Sequence, residues 1–265
     1  MSDLFDLIAD LRRRGEPAAL ATVIRVRGSS PGKEAMKMLV RNDGSIAGSV
    51  GGGCLEADVR EAAREVLVTE RPRLLEFSLT EETGLLCGGK VEVFVEPLTV
   101  PVLVLCGAGH VSKAVASVAD LAGFRTIVVD DRADFACAEH FPTAAECRAG
   151  PWEEVLAGIE TGENSYVVIV TRGHKMDGAC LEWALGTPSR YVGMIGSKRK
   201  IRAIYDDLKE NGVGDDALER VHAPIGLDIG AQTAEEIAVA IVGELIAVRR
   251  GTGSGSSLSG PAASG

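Results

Sequence analysis

The spacing of apolar residues differs between the two parts of the chain, and the change falls near residue 100. Before it, short apolar runs with turn signals between them and two helical stretches predict a small α+β domain. After it, continuous apolar runs alternate with helical spacing, which predicts an α/β fold with a parallel sheet and helices on both faces. We therefore expect an N-terminal domain at 1–98, a Rossmann-like domain at 99–250 and a disordered Gly/Ser tail at 251–265.

The C-terminal part opens with its clearest strand–helix–strand unit. An apolar strand leads into a tight turn containing Gly107 and Gly109, a helix follows, and the next strand ends in Asp130 and Asp131. This order predicts a dinucleotide-binding unit, although Ser112 occupies the position of its third glycine. In such a unit the glycines let the backbone approach a pyrophosphate, and the acid accepts a hydrogen bond from a ribose hydroxyl.

Several loops at strand ends carry candidate binding residues. Ligands of open α/β sheets bind beyond the carboxyl ends of the strands, so we expect these loops to open on one crevice. His110 could contact a phosphate, a substrate or a metal, and His174, in a predicted loop at 172–178, could act as a general base or ligand. Lys198 and Arg199 begin a helix whose dipole opposes their charge, a conflict that a bound anion would relieve. Solvated loop residues are the alternative for each.

Cys54 is the most specific candidate in the N-terminal part. It follows Gly51, Gly52 and Gly53 and stands at the predicted N-terminus of a helix, where a thiolate is stabilised as a nucleophile or soft-metal ligand. Cys87, in a glycine-flanked loop, could be the second half of the same site. Both thiols could instead be packing residues beside structural turns, because two isolated cysteines are a weaker metal signal than paired CxxC motifs.

Composition narrows the class of protein. The chain has 265 residues, of which 46% are hydrophobic, and a formal net charge of −10. This charge argues against nucleic-acid partners and anionic membrane surfaces, which repel an acidic protein. No apolar run approaches the roughly 20 residues of a membrane span. The scattered cysteines form no secreted disulfide framework, so we expect a cytoplasmic protein with free thiols.

Seven motifs, in order, resemble those of the XdhC/CoxI family, the accessory proteins that mature molybdenum hydroxylases such as xanthine dehydrogenase and carbon monoxide dehydrogenase. They cover nearly the whole chain apart from the tail, and their combination is much more specific than any one glycine motif. The family commonly has a histidine where this chain has Arg172, which leaves only His174 of a pair. The motifs are RGSSP at 27–31, GSVGGGCLE at 48–56, CGG at 87–89, GAGHV at 107–111, VDDR at 129–132, VGMIGSKRK at 192–200 and PIGLDIGAQTAEEIA at 224–238.

The resemblance implies a cofactor-binding chaperone rather than a catalyst. Such proteins are understood to bind the molybdenum cofactor, as molybdopterin or its dinucleotide form, to support its sulfuration and to deliver it to the apo-hydroxylase. Their partners are that hydroxylase, a cysteine desulfurase and cofactor-synthesis enzymes. A homodimer, the commonest oligomer, is compatible with the sequence.

The residues that the resemblance and the motifs together single out fall into three groups. Cys54 and Cys87 are expected to bind metal or carry sulfur, and His174 joins them as a candidate catalytic residue. The expected cofactor-binding residues are Gly51, Gly52, Gly53, Cys54, Gly107, Gly109, His110, Asp130, Asp131, Ser197, Lys198 and Arg199.

Two other functions are compatible with the motifs. An NAD(P)-dependent oxidoreductase would use His110 or His174 as its acid–base group and the Rossmann turn for its nicotinamide cofactor. A purely structural partner protein explains the acidic surface but not the placement of Cys54.

Overall fold

A computed structural model describes residues 3–78 and 89–252 of the chain. The chain forms two compact units, Met1–Val100 and Pro101–Gly265. Their division lies two residues from the predicted domain boundary at 98/99. Most of the predicted tail, from residue 253 onward, lies outside the described residues, as does Cys87.

The first unit is an antiparallel sheet with a helix against each face. Apolar residues of α2 pack with Ala21 and Val93 on one face, and those of α1 pack with Ala18 and Leu39 on the other. This arrangement follows from the alternation of side chains along a strand. The sheet has the order β3-β2-β1-β5-β4, all pairs antiparallel. The elements are α1 (Leu4–Arg14), β1 (Ala18–Arg27), β2 (Lys37–Arg41), β3 (Ile46–Gly48), α2 (Gly53–Thr69), β4 (Arg73–Ser78) and β5 (Lys90–Pro97).

The second unit is a parallel sheet of six strands with helices on both faces, as predicted. Its strand order is β11-β10-β9-β6-β7-β8, which is the doubly wound order of dinucleotide-binding folds. Helices α3 and α8 cover one face, and α4, α5, α6 and α7 cover the other. The elements are β6 (Val102–Cys106), α3 (His110–Leu121), β7 (Arg125–Asp130), β8 (Glu146–Ala149), α4 (Trp152–Ala157), β9 (Ser165–Ile169), α5 (His174–Leu185), β10 (Tyr191–Met194), α6 (Lys198–Glu210), α7 (Asp215–Glu219), β11 (Val221–His222) and α8 (Ala234–Arg250).

The predicted loop at 172–178 is wrong, because α5 begins at His174. Gly173 is the extended N-cap residue, and Asp177, in the first turn, accepts a hydrogen bond from the Thr171 hydroxyl at 2.7 Å. An acid in the first turn favours a helix, because it complements the positive end of the helix dipole. The polar, glycine-containing sequence resembles a loop, whereas these contacts stabilise a helix.

Two further observations concern a helix end and membrane spans. Thr233 and Glu236 form a capping box at the start of α8, in which each side chain bonds the backbone of the other residue. Among the described helices, none combines the length and the apolar character that crossing a membrane requires.

Candidate functional site

Three glycine-containing motifs of the first unit pack backbone against backbone. A Cβ atom on Gly51 would lie 2.8 Å from the Gly32 nitrogen, and one on Gly32 would lie 2.5 Å from the Val50 oxygen. A Cβ atom on Gly89 would lie 2.1 Å from the Ser29 oxygen. Only glycine fits such approaches. The loop at 27–33 therefore touches both the triple-glycine turn and the first described residue after the Cys87 segment.

Cys54 is the second residue of α2, and its side chain is exposed. The turn before it has left-handed backbone at all three glycines, with φ angles of 134° at Gly51, 82° at Gly52 and 61° at Gly53. These angles disfavour any residue with a Cβ atom. The turn thus presents an accessible thiol at the positive end of a helix of 17 residues.

Glu56 holds the triple-glycine turn in place. Its Oε1 atom accepts hydrogen bonds from the Ser49 hydroxyl at 2.5 Å and from the Gly52 N–H at 3.0 Å. The Ser49 hydroxyl oxygen in turn accepts from the Gly51 N–H at 3.1 Å. These bonds satisfy N–H groups that precede the helix, and they fix the backbone that carries Cys54.

The metal role of the cysteines stays a prediction. Within residues 3–78 and 89–252, no group of three or more His, Cys, Asp or Glu side chains is arranged to hold a metal ion. Cys54 is present as a free thiol, and Cys87 lies outside that range.

In the second unit, two helices start at the switch point of the sheet without a side-chain cap. β6 and β9 are neighbours, and the helices that follow them have Gly109 and Gly173 as N-cap residues, neither of which provides a side-chain acceptor. Gly107 packs tightly on the end of β9, because its Cβ atom would lie 2.6 Å from the Val170 oxygen. Uncapped helix N-termini at a switch point are suited to bind an anion such as phosphate.

Asp130 is bound inside the protein. Its carboxylate, in a residue that is 3% exposed, accepts from the Ala108 N–H at 2.7 Å and from the Arg132 N–H, Nε and Nη2 at 3.1, 2.7 and 3.0 Å. Burial opposes ionisation, but the bonds from Arg132 and Ala108 outweigh it and lower the pKa of Asp130. A carboxylate accepts about four hydrogen bonds. A ribose hydroxyl would therefore have to displace one of these donors.

An ion pair crosses the end of β6. Arg172, after β9, donates to Asp131, after β7, at 2.8 Å, and β6 lies between these two strands. His110, a predicted ligand, is exposed at the first position of α3, the helix that follows β6. His174 lies 3.4 Å from an Asp207 carboxylate oxygen and is also exposed.

The basic residues at the start of α6 differ in whether an acidic side chain of the described residues pairs with them. Ser197 caps the helix by accepting from the Lys200 N–H at 3.3 Å, and the Lys200 ammonium pairs with the fully buried Asp177 carboxylate. Lys198 and Arg199 are exposed, and no ion pair joins either of them to another described residue. The predicted conflict with the helix dipole is thus relieved at Lys200 by Asp177.

A buried polar cluster near β10 was missed by the sequence reasoning. The Glu244 carboxylate accepts from the Tyr191 hydroxyl at 2.5 Å and the Gly226 N–H at 2.8 Å, and it lies 3.1 Å from His222 Nδ1. The one signal for it in the sequence was a single acid within the apolar run 237–248 of α8. Such an acid is expected to be exposed or paired.

Models of known protein families match each of the two units. A family model described as the XdhC Rossmann domain matches residues 103–245, and a second, described as the XdhC and CoxI family, matches residues 11–78. Together they cover most of both compact units. The chain belongs to the XdhC and CoxI family.

Three relatives show how widely the similarity extends. The uncharacterised Escherichia coli K12 protein YqeB is 33% identical over 93% of this XdhC-family chain, which spans only 46% of YqeB. A Bacillus subtilis protein described as a probable xanthine dehydrogenase subunit is 21% identical, with 94% of this chain and 98% of the relative covered. The E. coli molybdenum cofactor insertion chaperone PaoD is 23% identical, with 89% and 84% covered.

A solved structure is similar over almost the full length. The crystal structure of a xanthine dehydrogenase from Bacillus halodurans has a TM-score of 0.52 and 25% identity, and the match covers 97% of this chain and 98% of that one. The XdhC-family fold is therefore shared with a protein that contains both units.

Proposed function

We propose that this XdhC-family protein binds molybdenum cofactor as cargo and delivers it to an apo molybdenum hydroxylase. Two relatives support a maturation role: PaoD is described as a molybdenum cofactor insertion chaperone, and the B. subtilis protein as part of a probable xanthine dehydrogenase. The observation that carries the proposal is the exposed Cys54 thiol at the N-terminus of α2, behind three glycines in the left-handed region.

The chemistry of the first unit fits such a cargo. A thiolate is a soft ligand suited to molybdenum and to sulfur, and the positive end of α2 stabilises it. The glycines let a large ligand approach the backbone without a Cβ atom in the way. We propose that Cys87 joins Cys54 at this site, because Gly89, two residues later, packs against the loop at 27–33 that also touches Gly51.

The second unit, taken by itself, offers groups that can bind a phosphate. The N–H groups at the starts of α3 and α5 have no side-chain cap, and His110 and the exposed Lys198 and Arg199 also lie at the carboxyl edge of the sheet. We assign Gly107–His110 and Ser197–Arg199 to phosphate binding. Asp130 then supports the glycine turn, and Asp131 positions Arg172.

The partners of this function follow from its chemistry. A chaperone that receives and releases a cofactor needs a donor enzyme and an apo-hydroxylase, and a terminal sulfur on the metal needs a cysteine desulfurase as its source. We propose that the Cys54 thiolate accepts the outer sulfur of the desulfurase's cysteine persulfide, so that one S–S bond forms at Cys54 as another breaks and the desulfurase thiolate leaves. We also propose that the chain itself does not carry out hydroxylation.

The test is anaerobic purification from a host that makes molybdenum cofactor. We expect molybdenum and pterin in amounts roughly stoichiometric with the chain, and a loss of about tenfold or more in Cys54→Ala, which corresponds to about 1.4 kcal/mol of binding free energy. Cys137→Ala is the matched control, because it removes a half-buried thiol from the second unit. Hydroxylase activation in cells should fall with Cys54→Ala alone, while circular dichroism of the variant stays unchanged.

Other outcomes would redirect the proposal. Equal molybdenum content in Cys54→Ala and the wild type would remove the thiol from the site. Co-purified NAD(H) without molybdenum or pterin would favour the oxidoreductase, although each Asp130 oxygen already accepts hydrogen bonds from protein groups.

A further inference from the structure

A groove of about 500 Å³ runs along α6, beside the loop that follows β11. Its volume lies within the range of small-molecule pockets, about 300–1,000 Å³. Its lining includes Lys198, Ile201, Arg202, Tyr205, Asp206 and Pro224. The groove adjoins β10 and β11, whereas the glycine turn belongs to β6, and Lys198 is the residue that the groove shares with the phosphate-binding groups proposed above.

The upper end of the groove is cationic. Lys198 and Arg202 are one helical turn apart, so their side chains lie on the same side of α6. Neither forms an ion pair with any residue in the described part of the chain, whereas Lys209, further along, pairs with Asp215 at 2.5 Å. In a protein with a net charge of −10, two neighbouring unneutralised cations at a helix start are suited to bind phosphate.

An aromatic side chain, Tyr205, lines the middle of the groove. Tyr205 is half-buried and packs against the core beneath α6, and burial raises the pKa of its hydroxyl group. Ile201 and Pro224 complete this part of the lining. Any flat heterocycle presents a π-face that can stack on Tyr205. Stacking therefore selects for a planar ring but does not distinguish one base from another.

A single carboxylate stands beside the aromatic wall. Asp206 follows Tyr205 and lies four residues after Arg202, so it is within reach of the edge of a ring stacked there. A carboxylate accepts a hydrogen bond from an exocyclic amino group, as it does from the amino group of cytosine. Along the helix axis Tyr205 lies about 10 Å from Lys198 and about 4.5 Å from Arg202.

We infer that this groove binds a nucleoside monophosphate group with an amino-bearing base. The phosphate contacts Lys198 and Arg202, the base stacks on Tyr205, and Asp206 accepts from its amino group. The inference rests on the proposed function only for the source of the group, which is either a free nucleotide or the nucleotide half of a pterin dinucleotide.

The test is isothermal titration calorimetry of the full chain with CMP, AMP, UMP and inorganic phosphate. We expect saturable binding of CMP and AMP and about tenfold weaker binding of UMP, which lacks an amino group. Arg202→Ala should weaken CMP binding about tenfold. Arg12→Ala is the matched control, because it removes an exposed arginine of α1 with no ion-pair partner in the described residues.

Asp206→Asn separates recognition from folding. It should abolish the preference for CMP over UMP while phosphate affinity rises or stays constant. Equal affinity for CMP and phosphate, equal affinity of the Arg202→Ala and Arg12→Ala variants, or an unchanged preference in Asp206→Asn would each overturn the inference.

The source of the nucleotide is identified on protein purified from a host that makes molybdenum cofactor. Free CMP or AMP released by denaturation indicates a free nucleotide. Release of the nucleotide only after treatment with a nucleotide pyrophosphatase, which cleaves the bond between the two phosphates, indicates a dinucleotide cofactor. Failure of CMP and AMP binding with molybdenum and pterin retained would overturn the groove alone, whereas loss of molybdenum with nucleotide binding intact would overturn the proposed cargo alone.

Discussion

Asp130 occupies the position of the ribose-binding acid in the dinucleotide-binding unit, but its contacts are with the protein itself. Its carboxylate receives four protein donors, one from the glycine turn and three from Arg132. Asp130→Asn should lower the free energy of unfolding by about 2–3 kcal/mol, because it weakens buried hydrogen bonds to a charged group. Asp131→Asn is the control; its exposed pair with Arg172 should be worth less than about 1 kcal/mol. Urea unfolding measures both free energies, and similar losses of stability in the two variants would contradict this structural role of the Asp130 hydrogen bonds.

The same residues show what the sequence could predict at this scale. The glycine turn and the helix start at Cys54 were recognised, because they depend on neighbours within a few residues. The partners of Asp130 were not, because the direction of the Arg132 side chain and the approach of Ala108 depend on the pairing of β6 with β7. Likewise Asp177 looked like a loop acid, and its burial follows from Lys200, 23 residues later.

At the scale of elements, Glu244 joins four segments: α8, on which it lies, β10 through Tyr191, β11 through His222, and the following loop through Gly226. Burial opposes its ionisation, but bonds from His222, Tyr191 and Gly226 outweigh this and lower the pKa of Glu244. Glu244→Gln should cost about 2–4 kcal/mol, because an amide group then faces donors that need an acceptor. Glu235→Gln, exposed at the start of the same helix, should change stability by less than about 0.5 kcal/mol.

Chemical denaturation at several pH values distinguishes this role from simple packing. Since the pKa of Glu244 is lowered in the folded state, its contribution is fully present above the ordinary value of 4.5 and is lost as the pH falls from there through the folded value. Glu244→Gln should therefore flatten the acid side of the stability profile. An equally steep profile would show that Glu244 contributes no charge-dependent stability.

Sequence patterns located most long elements, but they misassigned the start of α5 and did not indicate the short strand β11. The sequence predicted a parallel sheet but not the order of its six strands. β11 has two residues and therefore no periodicity of its own. It is a strand because it pairs with Val192 and Gly193 of β10. The groove beside it was not foreseen, because it requires the loop at 223–224 to lie next to α6.

At the scale of the whole molecule, acid should destabilise the second unit more than the first. Asp130, Glu146 and Glu244 all lie in the second unit, and hydrogen bonds from partners that include arginine or histidine overcome the opposing effect of burial and lower their pKa values. Within residues 3–78 and 89–100, the pKa of Asp43 is also lowered, by hydrogen bonds from Ser45, but that side chain is exposed. Exposed groups are coupled to solvent and contribute little.

The sign and the pH range follow from linkage. A carboxyl group with a lowered folded pKa stabilises the protein above its unfolded pKa, here about 3.8 for aspartate and 4.5 for glutamate, and the stability is lost as the pH falls through the folded value. Amide hydrogen exchange, corrected for the intrinsic rate, should show a larger loss of protection in β6, β7 and β10 than in β1 and β5 between about pH 5 and pH 3. Equal losses in the two sheets would mean that these hydrogen-bonded carboxylates do not dominate acid stability. A larger loss in the first sheet would place the acid-sensitive groups there instead.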